Sequence, residues 1–202
     1  MKIVHVETLI STGAFPQSPE WKRRRRMIHA AVKAVDWPPC SGKFTIYPES
    51  GKKRGEGNGV RPIKDRCLQQ LLSSGWRPEQ AVDLGELTQL GDVDAILNTK
   101  YGRIAFEWET GNISSSHRAL NKMALGLMRG VLVGAALVVP SRKLYRFLTD
   151  RIGNFDELLP YLDLWKSIPC ANGVLEIIVI EQDAESTSVP RIPKGTDGRA
   201  NG

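Results

Sequence analysis

Three features of this 202-residue chain predict an α/β fold built on a mixed β-sheet. Segments of strand character alternate with segments of helical spacing, the pattern that layers helices on a sheet. The run Val131 to Val139 is apolar or small throughout, as in a strand covered on both faces, and is far too short to span a bilayer. Arg103 to Glu109 alternates instead: Ile104, Phe106 and Trp108 fall on one strand face, Glu107 and Glu109 on the other.

The remaining elements follow from local chemistry. Lys2 to Leu9 has weak strand alternation. Ser18-Pro19-Glu20 supplies an N-cap, a proline at the first helical position and an early acid, predicting a helix over about 19–35. Arg23 to Arg26 on that helix could meet a phosphate, but the simpler expectation is a solvated face beside Met27, Ile28, Ala31 and Val35. Ser50 to Gly59, with Lys52, Lys53, Arg54 and four glycines, is expected to be a flexible basic loop. Asp65 to Ser74 has helical spacing through Leu68, Leu71 and Leu72, with Gly75 as the stop. Val93 to Leu97 and Arg103 to Glu109 are joined by Asn98-Thr99-Lys100-Tyr101-Gly102, a connection of hairpin length. Thr110, Gly111, Asn112 and Ser114 form a turn and cap, and a helix runs on to about Arg129 with an apolar stripe through Ala119, Leu120, Met123, Ala124, Leu127 and Met128. Ser141 to Leu148 and Phe155 to Trp165 are expected as helices, and Val174 to Glu181 as a central strand. The expectation is a single domain over 1–202 with a flexible C-terminal tail from about 183, a stretch with no core-forming pattern.

Composition narrows the partners. The formal net charge of +6 favours a polyanion without naming one. Cys40, Cys67 and Cys170 are odd in number and widely spaced, which argues against a disulfide framework or a zinc site. MKIVHVETLI lacks a secretory h-region, so the chain is expected to be soluble, cytoplasmic and free of membrane contact.

The hairpin brings Asp94 beside Glu107 and Glu109. Three neighbouring carboxylates repel one another unless a cation or proton intervenes, and oxygen ligands without cysteine or histidine suit Mg²⁺. Such an ion polarises a phosphoryl oxygen while a carboxylate accepts a proton from water, which is phosphodiester hydrolysis. Two acids at i and i+2, about 6.6 Å apart along a strand, also fit an inverting glycosidase. They fit equally well as exposed positions on an amphipathic strand. The low aromatic content, 7%, provides little sugar platform. Asn112, Ser114 and Arg118 in the following turn and helix, and Asp150-Arg151 further on, are residue types that read base edges. An Asp-Arg pair also commonly forms a local salt bridge.

The blocks EWETGNISSSHRALNK, YRFLTDRIGNFDELLPYLDLW and VPRIPKGTDG, extended by WPPCSGKFTI and GNGVRPIKDRC, resemble those of the BamHI/OkrAI family of GGATCC-specific type II restriction endonucleases, over roughly Val35 to Gly198. The resemblance implies a restriction-endonuclease-like PD-(D/E)XK core, with a central mixed sheet flanked by helices on both sides. It implies a homodimer on double-stranded palindromic DNA, formed through helices at about 116–128 and 155–165, that cuts after the first G to leave 5′ overhangs. Carried over by position, Asp94 and Glu107 are the Mg²⁺-binding acids, Glu109 the general base and Glu79 a further catalytic acid. Most enzymes of the wider fold have lysine where Glu109 stands. Asp150 and Arg151 are implied for the outer G·C pair, Arg118 and Asp197 for the next, Asn112 and Ser114 for the central A·T pairs, and Lys64 for a backbone phosphate. The chain stops four residues beyond its GTDG block, where BamHI-type enzymes continue into a helix, so contacts made by that tail do not transfer. A DNA-binding protein that kept the reading residues without cutting is the alternative function, against which the intact acids argue.

Overall fold

The computed structural model describes residues 1–51, 56–81, 92–149 and 152–194. Its centre is a six-stranded mixed sheet formed by β1 (Lys2–Thr12), β3 (Arg77–Ala81), β4 (Asp92–Thr99), β5 (Gly102–Trp108), β6 (Leu132–Pro140) and β7 (Gly173–Glu181). The spatial order is β1-β7-β6-β5-β4-β3. β5, β6 and β7 are parallel neighbours, while β1, β4 and β3 join antiparallel at the two sides. A two-residue parallel pair, β2 (Thr45–Ile46) with β8 (Ala184–Glu185), lies apart from the main sheet.

Helices cover both faces. On one, α1 (Pro19–Lys33) and α2 (Arg61–Ser73) contribute Trp21, Ile28, Val32, Ile63 and Leu71 to a core that includes Ile104, Phe106 and Trp108 of β5. On the other, α3 (Ile113–Met128) packs Leu120, Met123 and Leu127 against Ala105, Leu137 and Ile177, joined by Leu158, Leu162 and Trp165. Every residue of β6 is buried, which explains its unbroken apolar sequence. Gly134 within it leaves room for an aromatic: a Cβ there would stand 3.0 Å from the Trp21 ring.

The arginine run on α1 does more than face solvent. Arg25 Nε donates to both carboxylate oxygens of Glu176 on β7 at 2.9 Å, and Arg24 Nε donates to Glu20 Oε1 at 2.9 Å. Glu176 is buried among apolar residues, and burial pushes its carboxyl upward while the Arg25 guanidinium opposes that shift.

Several elements differ from expectation. The helix over 141–148 is only α4 (Arg142–Tyr145), capped by Ser141. The helix over 155–165 is divided into α5 (Phe155–Leu158), a 3-10 turn (Leu159–Tyr161) and α6 (Leu162–Lys166), because Pro160 lacks the N–H that a continuous helix requires. β3 has no apolar alternation and contains Pro78, which an edge strand accommodates. The described part of the glycine-rich loop is packed: a Cβ on Gly51 would collide with the Leu148 carbonyl and one on Gly59 with that of Pro193.

The stretch after Gln182 also departs from the expected tail. Ile192 is 1% exposed and belongs to the core on the α1 face. Asn58 draws this stretch in: its Nδ2 donates to the carbonyls of Tyr47 and Phe147, and its Oδ1 accepts from Ile192 N–H at 3.1 Å. The Thr149 N–H donates to the Asn58 carbonyl at 2.8 Å. Residues 195–202 lie outside those described.

Candidate active site

The β4–β5 hairpin builds the site. Ala95 pairs with Phe106 in the antiparallel register, and Thr99 Oγ1 donates to the Gly102 carbonyl at 2.7 Å across the turn. Asp94 and Glu107 therefore share the sheet face covered by α3, the face on which Ile96 and Ala105 pack. Asp94 Oδ2 accepts from the Trp108 N–H at 2.8 Å, which fixes the aspartate against the neighbouring strand. Glu109 follows directly after β5, held there by its own N–H donating to the Val138 carbonyl at 2.9 Å.

These three acids line one cleft of about 260 Å³, together with Lys64, Asp92, Arg118 and Lys122. Two lysines neutralise it from opposite sides. Lys64, in the first turn of α2, donates to Asp94 Oδ1 at 2.5 Å. Lys122, from the third turn of α3, donates to Glu107 Oε1 at 2.5 Å and also to the Asp92 carbonyl. The Lys122 side chain is 5% exposed and that of Lys64 is 21% exposed.

Burial raises the carboxyl of Glu107 above the ordinary range, opposed by Lys122 and reinforced by the negative charge of Asp94. Burial likewise raises Glu109, against which the backbone N–H groups of Gly111 and Thr110 act. The Gly111 N–H donates to Glu109 Oε1 at 2.5 Å. Glycine at 111 permits this approach, since a Cβ there would stand 3.1 Å from that oxygen and 2.7 Å from Ser115 Oγ.

Beyond the acids the chain enters α3. Asn112 is its N-cap, its side chain accepting from Ser115 N–H at 3.3 Å. Asn112, Ser114 and Arg118 are exposed. Ser114 and Arg118 line a second, shallower groove with His117, Asn121 and Leu125. Arg118 thus joins the two depressions. Asp150, Arg151 and Asp197 lie outside the described residues, as does the side chain of Glu79, whose backbone is in β3.

A continuous α/β chain thus places acids on adjacent strands with a polar helix leaving the same cleft, and its sequence matches the family Restriction endonuclease BamHI over residues 1–199. The chain belongs to the BamHI restriction endonuclease family. Among relatives of that family, it is 43% identical over 200 residues to the type II restriction enzyme OkrAI of Oceanobacter kriegii, covering 99% of each protein. It is 38% identical over 178 residues to the type II restriction enzyme BamHI of Bacillus amyloliquefaciens, covering 85% of this chain and 79% of that one. The mixed sheet flanked by helices is the restriction-endonuclease-like fold of the BamHI family, and the chain is a type II restriction endonuclease.

The BamHI family implies a divalent metal. Among the described residues no three His, Cys, Asp or Glu side chains are gathered into a metal cluster. The donor chemistry nevertheless fits such an ion, because Mg²⁺-type sites use one or two carboxylates and leave other positions to water and substrate phosphate. Each of Asp94 and Glu107 already meets a positive charge at close range, from Lys64 and Lys122 respectively.

Lys122 was not among the residues singled out from sequence. Its signal was present: it lies one turn after Arg118 and interrupts the apolar stripe between Leu120 and Met123. Among the described residues no helix is long and apolar enough to cross a membrane.

Proposed function

We propose that this restriction endonuclease hydrolyses DNA at the palindrome GGATCC in a Mg²⁺-dependent reaction, cutting after the first G to leave 5′ overhangs. The observation that carries the reading is the single cleft in which Asp94, Glu107 and Glu109 meet Arg118 at the start of α3. Asp94 and Glu107 would hold the ion, which when bound polarises a phosphoryl oxygen and stabilises the leaving alkoxide. Glu109 accepts the proton of the attacking water. Its burial favours this role by raising its basicity, and the Gly111 N–H fixes its orientation. Glu79 is the further acid of the reaction.

Base reading is assigned to Asp150 and Arg151 on the outer G·C pair, Arg118 and Asp197 on the next, and Asn112 with Ser114 on the central A·T pairs. Arginine offers a bidentate donor to guanine, and asparagine pairs with adenine. Lys64 serves a backbone phosphate. A palindrome requires two symmetry-related copies of this set, so the active species is a homodimer. Met128 of α3 and the exposed apolar side chains of Leu159, Tyr161 and Leu164 favour an interface through these helices. A cytoplasmic setting accords with the free thiols of Cys40, Cys67 and Cys170.

The test is digestion of a GGATCC-containing plasmid with Mg²⁺ and with EDTA, followed by sequencing of the ends. Cleavage after the first G with Mg²⁺ alone is expected. Intact plasmid under both conditions, or ends at another sequence, overturns the assignment.

A further inference from the structure

The two lysines in the cleft differ in how they are held, and the difference assigns them different tasks. Lys122 projects from the middle of α3, its side chain almost fully enclosed, and its ammonium is shared between Glu107 and the main-chain carbonyl of Asp92. Withdrawing it would leave the largely enclosed Glu107 carboxylate and the Asp92 carbonyl without this donor, a cost that opposes its release. Lys64 lies near the start of α2, is four times as exposed by side-chain area, and meets Asp94 through one carboxylate oxygen. Its long flexible stem can carry the ammonium out to water without unpacking the helix.

We propose that Lys64 is an exchangeable counter-ion, a built-in competitor that vacates Asp94 when a divalent cation enters, whereas Lys122 stays on Glu107 as a fixed cation. The inference rests on the metal-dependent reading above. It follows from charge: Asp94 and Glu107 occupy adjacent strands, and each requires a positive partner at close range. A dication arriving at Asp94 meets an ammonium already bonded to that carboxylate, and two cations on one oxygen repel. The partner that leaves is the one with solvent access and a single bond. Lys64 lines the cleft itself, so the displaced ammonium would be free to take the backbone phosphate proposed for it above. Ion entry and backbone engagement are thereby coupled through one side chain, and Asp94 is kept neutralised until the cation arrives.

The experiment measures Mn²⁺ binding to the full-length protein without DNA, by loss of the free-ion electron paramagnetic resonance signal. Lys64→Met should bind Mn²⁺ about tenfold more tightly than wild type, a change of about 1.4 kcal/mol. Lys64→Arg, which keeps the competing charge, should stay near wild type, and Asp94→Asn should lose binding. Equal affinity in wild type and Lys64→Met overturns the exchange while leaving the metal reading intact. Absence of binding in all the proteins overturns both. Melting in EDTA separates the two lysines: Lys122→Met should lower the melting temperature more than Lys64→Met does, and the reverse order overturns their assigned roles.

Discussion

At Glu109 burial and ionisation oppose one another. The side chain is enclosed and burial raises its carboxyl, and yet the proton-accepting role proposed for it needs it charged. Folding favours its protonated form, so its contribution to stability is present below the unfolded value and is lost as pH rises through the folded one. Glu109→Gln should therefore melt higher relative to wild type at pH 8 than at pH 4 in EDTA, as read by thermal unfolding. The same substitution should lower cleavage by a factor of about 10²–10⁴, the range for a lost general base, while DNA binding measured by fluorescence anisotropy persists. The position of the acid was legible in EWETGN because a strand places alternate residues on one face. Its burial was not, because the Gly111 approach and the cover from α3 are tertiary facts. Lys122 was missed for a related reason: the acceptors that hold it, Glu107 and the Asp92 carbonyl, belong to two other elements.

Among the elements, α3 is capped by a residue for which a second role is proposed. Asn112 caps the helix and is also the residue assigned to a central base. Asn112→Ser preserves a capping oxygen but removes the amide that pairs with adenine; Asn112→Ala removes both. The alanine variant should be about 1 kcal/mol less stable in urea unfolding than the serine variant. Both should lose discrimination at the central A·T pairs to a similar extent in cleavage of altered sites. α1 is joined to the sheet by a different device. Arg25→Met strands Glu176 inside the core and should cost about 3 kcal/mol, the lower end for a broken buried pair since Arg25 is 40% exposed. Urea unfolding measures it, and the loss should shrink in Arg25→Met/Glu176→Leu. Helix boundaries with a local cause, such as Ser18 and Pro19, were legible in sequence. The ion pair was not, because 151 residues separate its partners.

For the whole molecule, the exposed surface bears on the homodimer proposed above. Leu164 is 60% exposed on α6, and Tyr161 stacks edge-on with His117 of α3, 4.6 Å between ring centroids. This contact brings the two helical segments side by side. If the proposed homodimer forms through these helices, Leu164→Glu should raise its dissociation constant at least tenfold in sedimentation equilibrium, by placing a charge in the interface, and reduce cleavage in parallel. Sheet topology was recoverable in outline from alternating elements and the wholly apolar β6. The edge strand β3 was not, since its sequence, Arg-Pro-Glu-Gln-Ala, has no alternation to find. The stretch after Gln182 was misjudged because Ile192 is a lone apolar residue whose seat is made by distant segments.

Asn58 gives that seat a broader meaning. One buried amide ties together the segments around residues 47, 147 and 192, and Thr149 leans on its main chain. Residues 150 and 151 follow immediately after one of these moorings, and residue 197 lies five positions after another. The stretches proposed to read the outer and next-outer bases thus follow in sequence from segments tied at one knot. If those stretches read bases as proposed, a substitution at Asn58 should give errors in sequence choice that are correlated between positions rather than confined to one base pair.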